Sequence, residues 1–95
     1  MGDRTALIAA SFHGDTEVVS LLIAAKADLN AKDDYHRTAL MLASFLGHTE
    51  VVRLLIAAKA DLNAKDKDGR TALSVASRRG KTEVVELLKQ AGAKE

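Results

Sequence analysis

The chain has 95 residues, a formal charge of +1 from 14 basic and 13 acidic residues, and neither cysteine nor proline. The balanced charge gives no net field that would favour nucleic acid or an anionic membrane, and the lack of cysteine excludes a disulfide framework and a thiolate metal site. Hydrophobic residues make up 47% of the chain and aromatic residues only 3%, so helices built from Ala and Leu fit better than an aromatic-filled sandwich or barrel.

No apolar run approaches the roughly 20 residues needed to span a bilayer. The first residues, Met1 to Arg4, do not resemble the start of a signal peptide. We therefore expect a soluble, cytoplasmic protein.

The first predicted element starts at Thr5-Ala6-Leu7, and this triplet recurs as Thr38-Ala39-Leu40 and Thr71-Ala72-Leu73 at a spacing of 33 residues. Other features keep the same phase, namely Gly14, Gly47 and Gly80 and the Thr-Glu-Val-Val segments that start at Thr16, Thr49 and Thr82. A fixed period of this length indicates units that cannot bury their apolar sides alone and must stack on one another. We expect a single domain of three units, at about 1–33, 34–66 and 67–95.

The second unit illustrates the elements within each repeat. Thr38 is a candidate N-cap for a short first helix, which Gly47 ends in a left-handed conformation. Thr49 is a candidate cap for a second helix whose apolar surface is too broad for a solvated helix. The segment 61–70 is rich in turn-forming residues and predicts a projecting finger. The predicted core of this unit comprises Leu40, Ala43, Val52, Leu54 and Leu55.

The period and the segments 47–55, 60–64 and 66–73 closely resemble the ankyrin repeat over essentially the whole chain. The resemblance implies an all-α solenoid of paired antiparallel helices with projecting hairpin-like loops. It also implies that a protein partner docks on the concave side, and it implies no catalytic residues and no cofactor.

Some positions depart from the family pattern. The Thr-Pro-Leu-His tetrapeptide has lost both Pro and His in every unit, which puts the histidine's hydrogen bonds between repeats in doubt. Lys26 and Lys59 replace the glycine that ends the second helix, so we expect them to adopt a left-handed conformation at a cost on the order of 1 kcal/mol. His36 stands where the turn normally has glycine, and histidine tolerates that conformation better than most residues.

The three units differ in a directed way. The first two match at about 25 of 33 positions, which duplication or deliberate engineering would both explain. In the third, Phe45-Leu46 becomes Arg78-Arg79 and Ile56-Ala57 becomes Lys89-Gln90, as a terminal cap requires. The first unit has no such polar substitutions. Its outer face, including Ile8 and Leu22, is therefore a candidate surface for self-association.

Candidate partner-binding residues lie where the family leaves the repeat variable, on the loop tips and the exposed face of the first helix. They are Phe12, His13, Asp34, Tyr35, Arg37, Phe45, Leu46, Lys67, Asp68, Arg70, Arg78 and Arg79. Aromatic side chains flanked by arginines resemble the anchors that dominate interface energetics. The structural alternative is that Phe12 and Phe45 only cover neighbouring helices.

Other chemistry has little support in the sequence. The histidines His13, His36 and His48 lack the spacing of zinc ligands, and serines recur once per unit at a packed helix position, as a structural role predicts. The basic cluster at Arg78, Arg79 and Lys81 is flanked by glutamates, which favours a solvated cap over a phosphate site.

Two functions remain. In the first, the chain is a module that binds a protein partner, with no enzymatic activity and no nucleic acid, membrane or small-molecule ligand. Alternatively, it is an engineered or consensus-like scaffold without an evolved ligand, which self-associates through exposed apolar faces.

Overall fold

A computed structural model describes the backbone of residues 3–94 and the side chains of residues 6–94. Met1 and Gly2, which belong to the segment considered as a leader, lie outside this range. Over the described residues the chain forms six α-helices and no strand. They are α1 (Asp3–His13), α2 (Thr16–Ala24), α3 (Ala39–Leu46), α4 (Thr49–Ala57), α5 (Ala72–Arg78) and α6 (Thr82–Gln90). The all-α repeat architecture expected from the sequence is confirmed. None of these helices is long and apolar enough to cross a membrane.

The helices form a stack two layers thick. Each unit pairs a first helix with a second helix, as in α1 with α2. Along the stack, α1 packs on α3 and α3 on α5, while α2 packs on α4 and α4 on α6. The middle unit is therefore covered on both sides, as a solenoid requires.

The ends of the helices follow local capping chemistry, with one exception to the prediction. Thr38 caps α3 by accepting a hydrogen bond from the Met41 backbone N–H at 3.3 Å, and Gly47 ends this helix at φ 76°. The expectation that Thr49 caps α4 is wrong, because His48 is the N-cap and Thr49 is the first helical residue. The Thr49 hydroxyl instead donates to the Gly47 carbonyl at 3.4 Å.

The core of the middle unit is largely as predicted. Leu40, Ala43, Val52 and Leu55 are buried and belong to one hydrophobic cluster. Leu54 is a correction, since it is only partly buried against that cluster. It lies at the edge of the stripe that the buried residues of α4 form, so the neighbouring helices cover it incompletely.

The two lysines that replace glycine adopt the left-handed conformation expected of them, with φ 67° at Lys26 and φ 73° at Lys59. In each case the lysine N–H and the following alanine N–H bond back to helix carbonyls, as when the Ala60 N–H donates to the Leu55 carbonyl at 3.0 Å. This is the helix ending that normally uses glycine. The prediction for His36 is also confirmed, at φ 63°.

The outer face of the first unit differs from the one anticipated. Ile8 and Leu22 are partly buried, and Leu22 packs against the core. The exposed apolar residues of α2 are instead Val18 and Leu21, at 38% and 64% exposure. Val51, which is equivalent to Val18 in the second unit, is fully buried. Val18 and Leu21 therefore point in the direction of a preceding unit and have no neighbour there among the described residues.

Candidate functional site

A groove of about 540 Å³ opens between the second and third units. Its walls come from α3, from α5 and from the two loops that precede these helices. The residues that line it are Arg37, Met41, Leu42, Phe45, Asp66, Arg70, Val75, Arg78 and Arg79. Four cationic side chains thus surround a partly apolar floor.

Helical spacing explains which side chains meet in the groove. On α3, Met41 and Leu42 lie four and three residues before Phe45, so both adjoin Phe45 on one face of the helix. Val75 and Arg78 occupy the positions of Leu42 and Phe45 one period later, so the equivalent face of α5 replaces an aromatic residue with a cation. Met41 and Leu42 are buried, whereas Phe45 remains 38% exposed. The groove is consequently apolar on its α3 side and charged on its α5 side.

The first loop holds Arg37 in place through Asp33. One Asp33 carboxylate oxygen accepts from the backbone N–H groups of Tyr35 and Arg37, and the other accepts from Arg37 Nε at 2.9 Å. Burial alone would raise the pKa of Asp33, but these hydrogen bonds and the charge of Arg37 outweigh it and hold the pKa below its ordinary value. The guanidinium also lies 4.9 Å from the centre of the Tyr35 ring.

The second loop repeats this arrangement. Asp66 accepts from the backbone N–H groups of Asp68 and Arg70 and from Arg70 Nε at 3.0 Å, while Arg70 Nη2 also donates to Asp68 at 2.9 Å. Burial opposes ionisation of Asp66 as well, and the hydrogen bonds from Arg70 again leave its pKa lowered. Through these bonds each loop presents a guanidinium in a fixed position beside the groove.

Arg78 and Arg79, the last residue of α5 and its C-cap, have no such acidic partner. Within the described side chains, no carboxylate lies within 4.0 Å of Arg78 or Arg79. The Arg79 guanidinium instead lies over the Phe45 ring, 4.3 Å from its centre, in the geometry of a cation–π contact. Arg78 is exposed in the last turn of α5.

Comparison with protein families identifies the fold. A family model for ankyrin repeats, in three copies, matches residues 6–95. The chain belongs to the ankyrin repeat family. Ankyrin repeats generally serve as protein–protein interaction modules rather than as catalysts. A search of curated proteins finds no match to this chain.

Within the ankyrin stack, the candidate residues fall into three groups. Arg37, Phe45, Arg70, Arg78 and Arg79 line the groove. Tyr35 and Asp68 adjoin it through their contacts with Arg37 and Arg70. The remaining candidates are outside it, namely Phe12, His13, Asp34, Leu46 and Lys67. The groove therefore gathers about half of the residues proposed from the sequence.

Four groove residues were not among the candidates. Met41, Leu42 and Val75 supply its floor, and Asp66 fixes one of its arginines. Val75 lies three residues before Arg78 and Leu42 three before Phe45, so helical spacing from the candidates could have found both. Asp66 had no comparable signal, because its role depends on the conformation of the loop.

The positions where the family has histidine serve local purposes in these repeats. Met41 lines the groove, and Ser74 forms a capping box with Thr71, in which each side chain accepts from the other's backbone N–H at 2.9 and 3.1 Å. One hydrogen bond between the first two repeats is made by a different histidine, His48, whose Nε2 donates to the Phe12 carbonyl at 2.9 Å. A carbonyl can only accept, so Nε2 carries the proton.

The remaining histidines and the serines do not assemble into a site. Among the described residues no group of three or more His, Cys, Asp or Glu side chains is placed to hold a metal ion. Ser11 and Ser44 are fully buried and their hydroxyls have no hydrogen-bond partner among the described residues, whereas Ser77 is exposed at the equivalent position. The packed role expected for these serines therefore holds in the first two repeats and not in the third.

Proposed function

We propose that this ankyrin repeat chain binds a protein partner in the groove between its second and third repeats. The observation that carries the proposal is the exposure of Phe45 beside the apolar residues Met41 and Leu42, with arginines around them. The third repeat has Arg78 at the position of Phe45, so the fold does not require an aromatic side chain there. Aromatic and arginine side chains at the centre of a contact typically supply most of its binding energy.

The loop tips extend the proposed surface beyond the groove. The Tyr35 ring is well exposed, and its backbone carbonyl accepts from the Lys67 N–H at 3.2 Å, so the two loops lie side by side. A partner seated on Phe45 could therefore reach Tyr35 and Asp68. Phe12 and His13, which meet edge to face with ring centres 5.1 Å apart, lie on the first repeat and would contact only a longer partner.

The test is a selection of peptides from a random display library on the wild-type chain. Selected peptides are then measured against the double variant Phe45→Arg, Leu46→Arg, which should weaken binding by about 2 kcal/mol or more. Phe12→Arg is the matched control, because Phe12 has the equivalent position in the first repeat, is similarly exposed at 47%, and lies outside the groove.

Two results would overturn the proposal. One is retention of full affinity by the double variant, and the other is loss of its helical circular dichroism, which would place Phe45 and Leu46 in the folding core. If no peptide is enriched at all, the chain is better described as a scaffold without an evolved ligand, an interpretation that the near-identity of the first two repeats also favours.

Self-association is the second candidate function, favoured by the exposed Val18 and Leu21 on α2. The opposite end of the stack exposes Lys89 and Gln90 in place of Ile56 and Ala57, so the two ends are not alike. We infer that two copies would pair through their first repeats, face to face. Light scattering over a concentration series should then give a dimer that Leu21→Lys converts to a monomer. A wild-type monomer at the highest concentration would exclude this candidate.

A further inference from the structure

The charges around the groove are unequal. Among the described residues that line it, four carry a guanidinium group and one, Asp66, carries a carboxylate. That carboxylate is already occupied by two backbone N–H groups and by Arg70. Asp33 and Asp68 pair with Arg37 and Arg70 at its edge, so the positive charge that remains without an acidic partner among the described residues is that of Arg78 and Arg79.

The four arginines differ in how much hydrogen-bonding capacity they retain. Arg70 uses both Nε and Nη2 on the aspartates of its own loop. Arg37 uses Nε on Asp33, which leaves its terminal nitrogens without a partner among the described residues. Arg78 and Arg79 make no ion pair there, and a guanidinium has five N–H donors. Unused donors are therefore concentrated at the C-terminal end of α5, beside Phe45.

The apolar floor of the groove favours a ligand that also carries an apolar side chain. Phe45 lies under the Arg79 guanidinium, and the partly buried Val75 of α5 also lines the groove. An apolar side chain of a ligand could pack on these two residues while a neighbouring carboxylate reaches Arg78 or Arg79. Guanidinium groups pair well with carboxylates, often through two parallel hydrogen bonds.

We propose that the groove binds an acidic segment of a partner protein, in which carboxylate side chains alternate with apolar ones. This inference rests on the proposed function and specifies the class of its ligand. Single-stranded nucleic acid fits less well, because successive bases stack on several aromatic side chains and, among the described residues that line the groove, Phe45 is the only aromatic one. The carboxylates of the ligand would bind at Arg78 and Arg79, and its apolar side chain at Phe45 and Val75.

The experiment compares four fluorescent probes of equal length by anisotropy. The first is a peptide in which Glu and Leu are interspersed with Ser and Gly; in the second and third, every Glu is replaced by Gln or by Lys; and the fourth is oligothymidine. The Glu peptide should bind the wild-type chain at least about tenfold more tightly than the Gln peptide. Its affinity should also fall as salt is added.

Matched variants then locate the binding. Arg78→Gln with Arg79→Gln should weaken binding of the Glu peptide by about tenfold, whereas Lys65→Gln, an exposed lysine outside the groove, should leave it within about twofold. Arg78→Glu with Arg79→Glu should reverse the preference in favour of the Lys peptide. If circular dichroism shows that a double variant has lost helix, the single variant Arg78→Gln replaces it, since Arg78 makes no ion pair within the described residues.

Equal affinity for the Glu and Gln peptides would overturn the inference, as would tighter binding of oligothymidine than of the Glu peptide. So would a Lys65→Gln variant that loses as much affinity for the Glu peptide as the Arg78→Gln, Arg79→Gln variant does. These failures are distinct from a failure of the proposed function. If library selection yields neutral peptides that the Phe45→Arg, Leu46→Arg variant no longer binds, the groove is a protein-binding site and only the acidic class of ligand is wrong.

Discussion

Lys59 illustrates how a single residue can keep the backbone of a repeat while departing from its favoured amino acid. At φ 73° its Cβ is crowded in a way that glycine avoids. The chain nevertheless completes the helix ending, because the Lys59 N–H donates to the Ile56 carbonyl at 3.0 Å. The backbone at Lys59 therefore remains strained, because the chain keeps the left-handed conformation at this position.

We expect Lys59→Gly to raise the free energy of unfolding by about 0.5 to 1 kcal/mol, as relief of strain exceeds the extra entropy of glycine in the unfolded chain. Urea titration measures this directly. Gly80→Ala is the converse control, since Gly80 has φ 69° and an added Cβ would meet nothing within 4 Å, so only the backbone strain should cost stability. A destabilised Lys59→Gly variant would show that the lysine side chain contributes more than its strain removes.

At the scale of elements, the two loops that precede α3 and α5 are each organised by one aspartate. Asp33 and Asp66 each accept three hydrogen bonds from their own loop, and the ionised form makes all of them. Because these bonds lower the pKa of both groups in the folded chain, the unfolded chain takes up protons first as the pH falls. Their contribution to stability is complete above the unfolded pKa of about 4 and is lost as the pH falls through the lower folded value.

Asp66→Asn should therefore destabilise the protein at neutral pH and make its unfolding less sensitive to pH below about 4. Thermal unfolding between neutral and acidic pH measures both effects. Asp68→Asn is the control, since the Asp68 side chain is 71% exposed and, among the described residues, forms its ion pair with Arg70 alone. An Asp66→Asn variant with an unchanged acid limb would mean that other carboxylates dominate acid unfolding.

Local signals in the sequence were enough to predict the elements. Thr38 and Gly47 mark the ends of α3 because both act within a few residues along the chain. At α4 the sequence predicted Thr49 as the cap, because threonine is favoured at N-cap positions. His48 is the cap because the turn begins one residue earlier, and its ring is used for the contact with Phe12.

The site was less predictable than the elements, because it depends on contacts between repeats. Exposed positions such as Phe45 and Arg79 could be recognised as unnecessary for folding, yet their stacking across α3 and α5 is a property of the assembled stack. Asp66 belongs to a turn signal in the sequence and to the groove in the structure. A sequence pattern gives the position of a residue along its repeat, whereas the groove depends on how the second and third repeats are placed against each other.

At the scale of the whole molecule, the stack has a direction. Val18 is exposed in the first repeat, while its equivalents Val51 and Val84 are buried, so this position points toward the preceding repeat. The next helical turn behaves alike, since Leu22 is only partly buried and Leu55 and Leu88 are fully buried. The same residue type at the same position of the repeat therefore contributes differently to the free energy of unfolding in the first repeat and in the other two.

The three equivalent leucines turn this asymmetry into a measurement. Leu55→Ala should cost about 2 to 5 kcal/mol, because it removes a fully buried side chain and leaves a cavity between two repeats. Leu88→Ala should fall in the same range, since Leu88 is covered by the middle repeat. Leu22→Ala should cost about 1 to 2 kcal/mol, because water already reaches part of the side chain. Urea titration of all three variants gives the comparison.

A loss below about 1 kcal/mol for Leu55→Ala would mean that this packing face is wrongly assigned. A loss for Leu22→Ala as large as the roughly 2 to 5 kcal/mol expected of the other two variants would mean that the first repeat is covered, as it would be by a second copy of the chain.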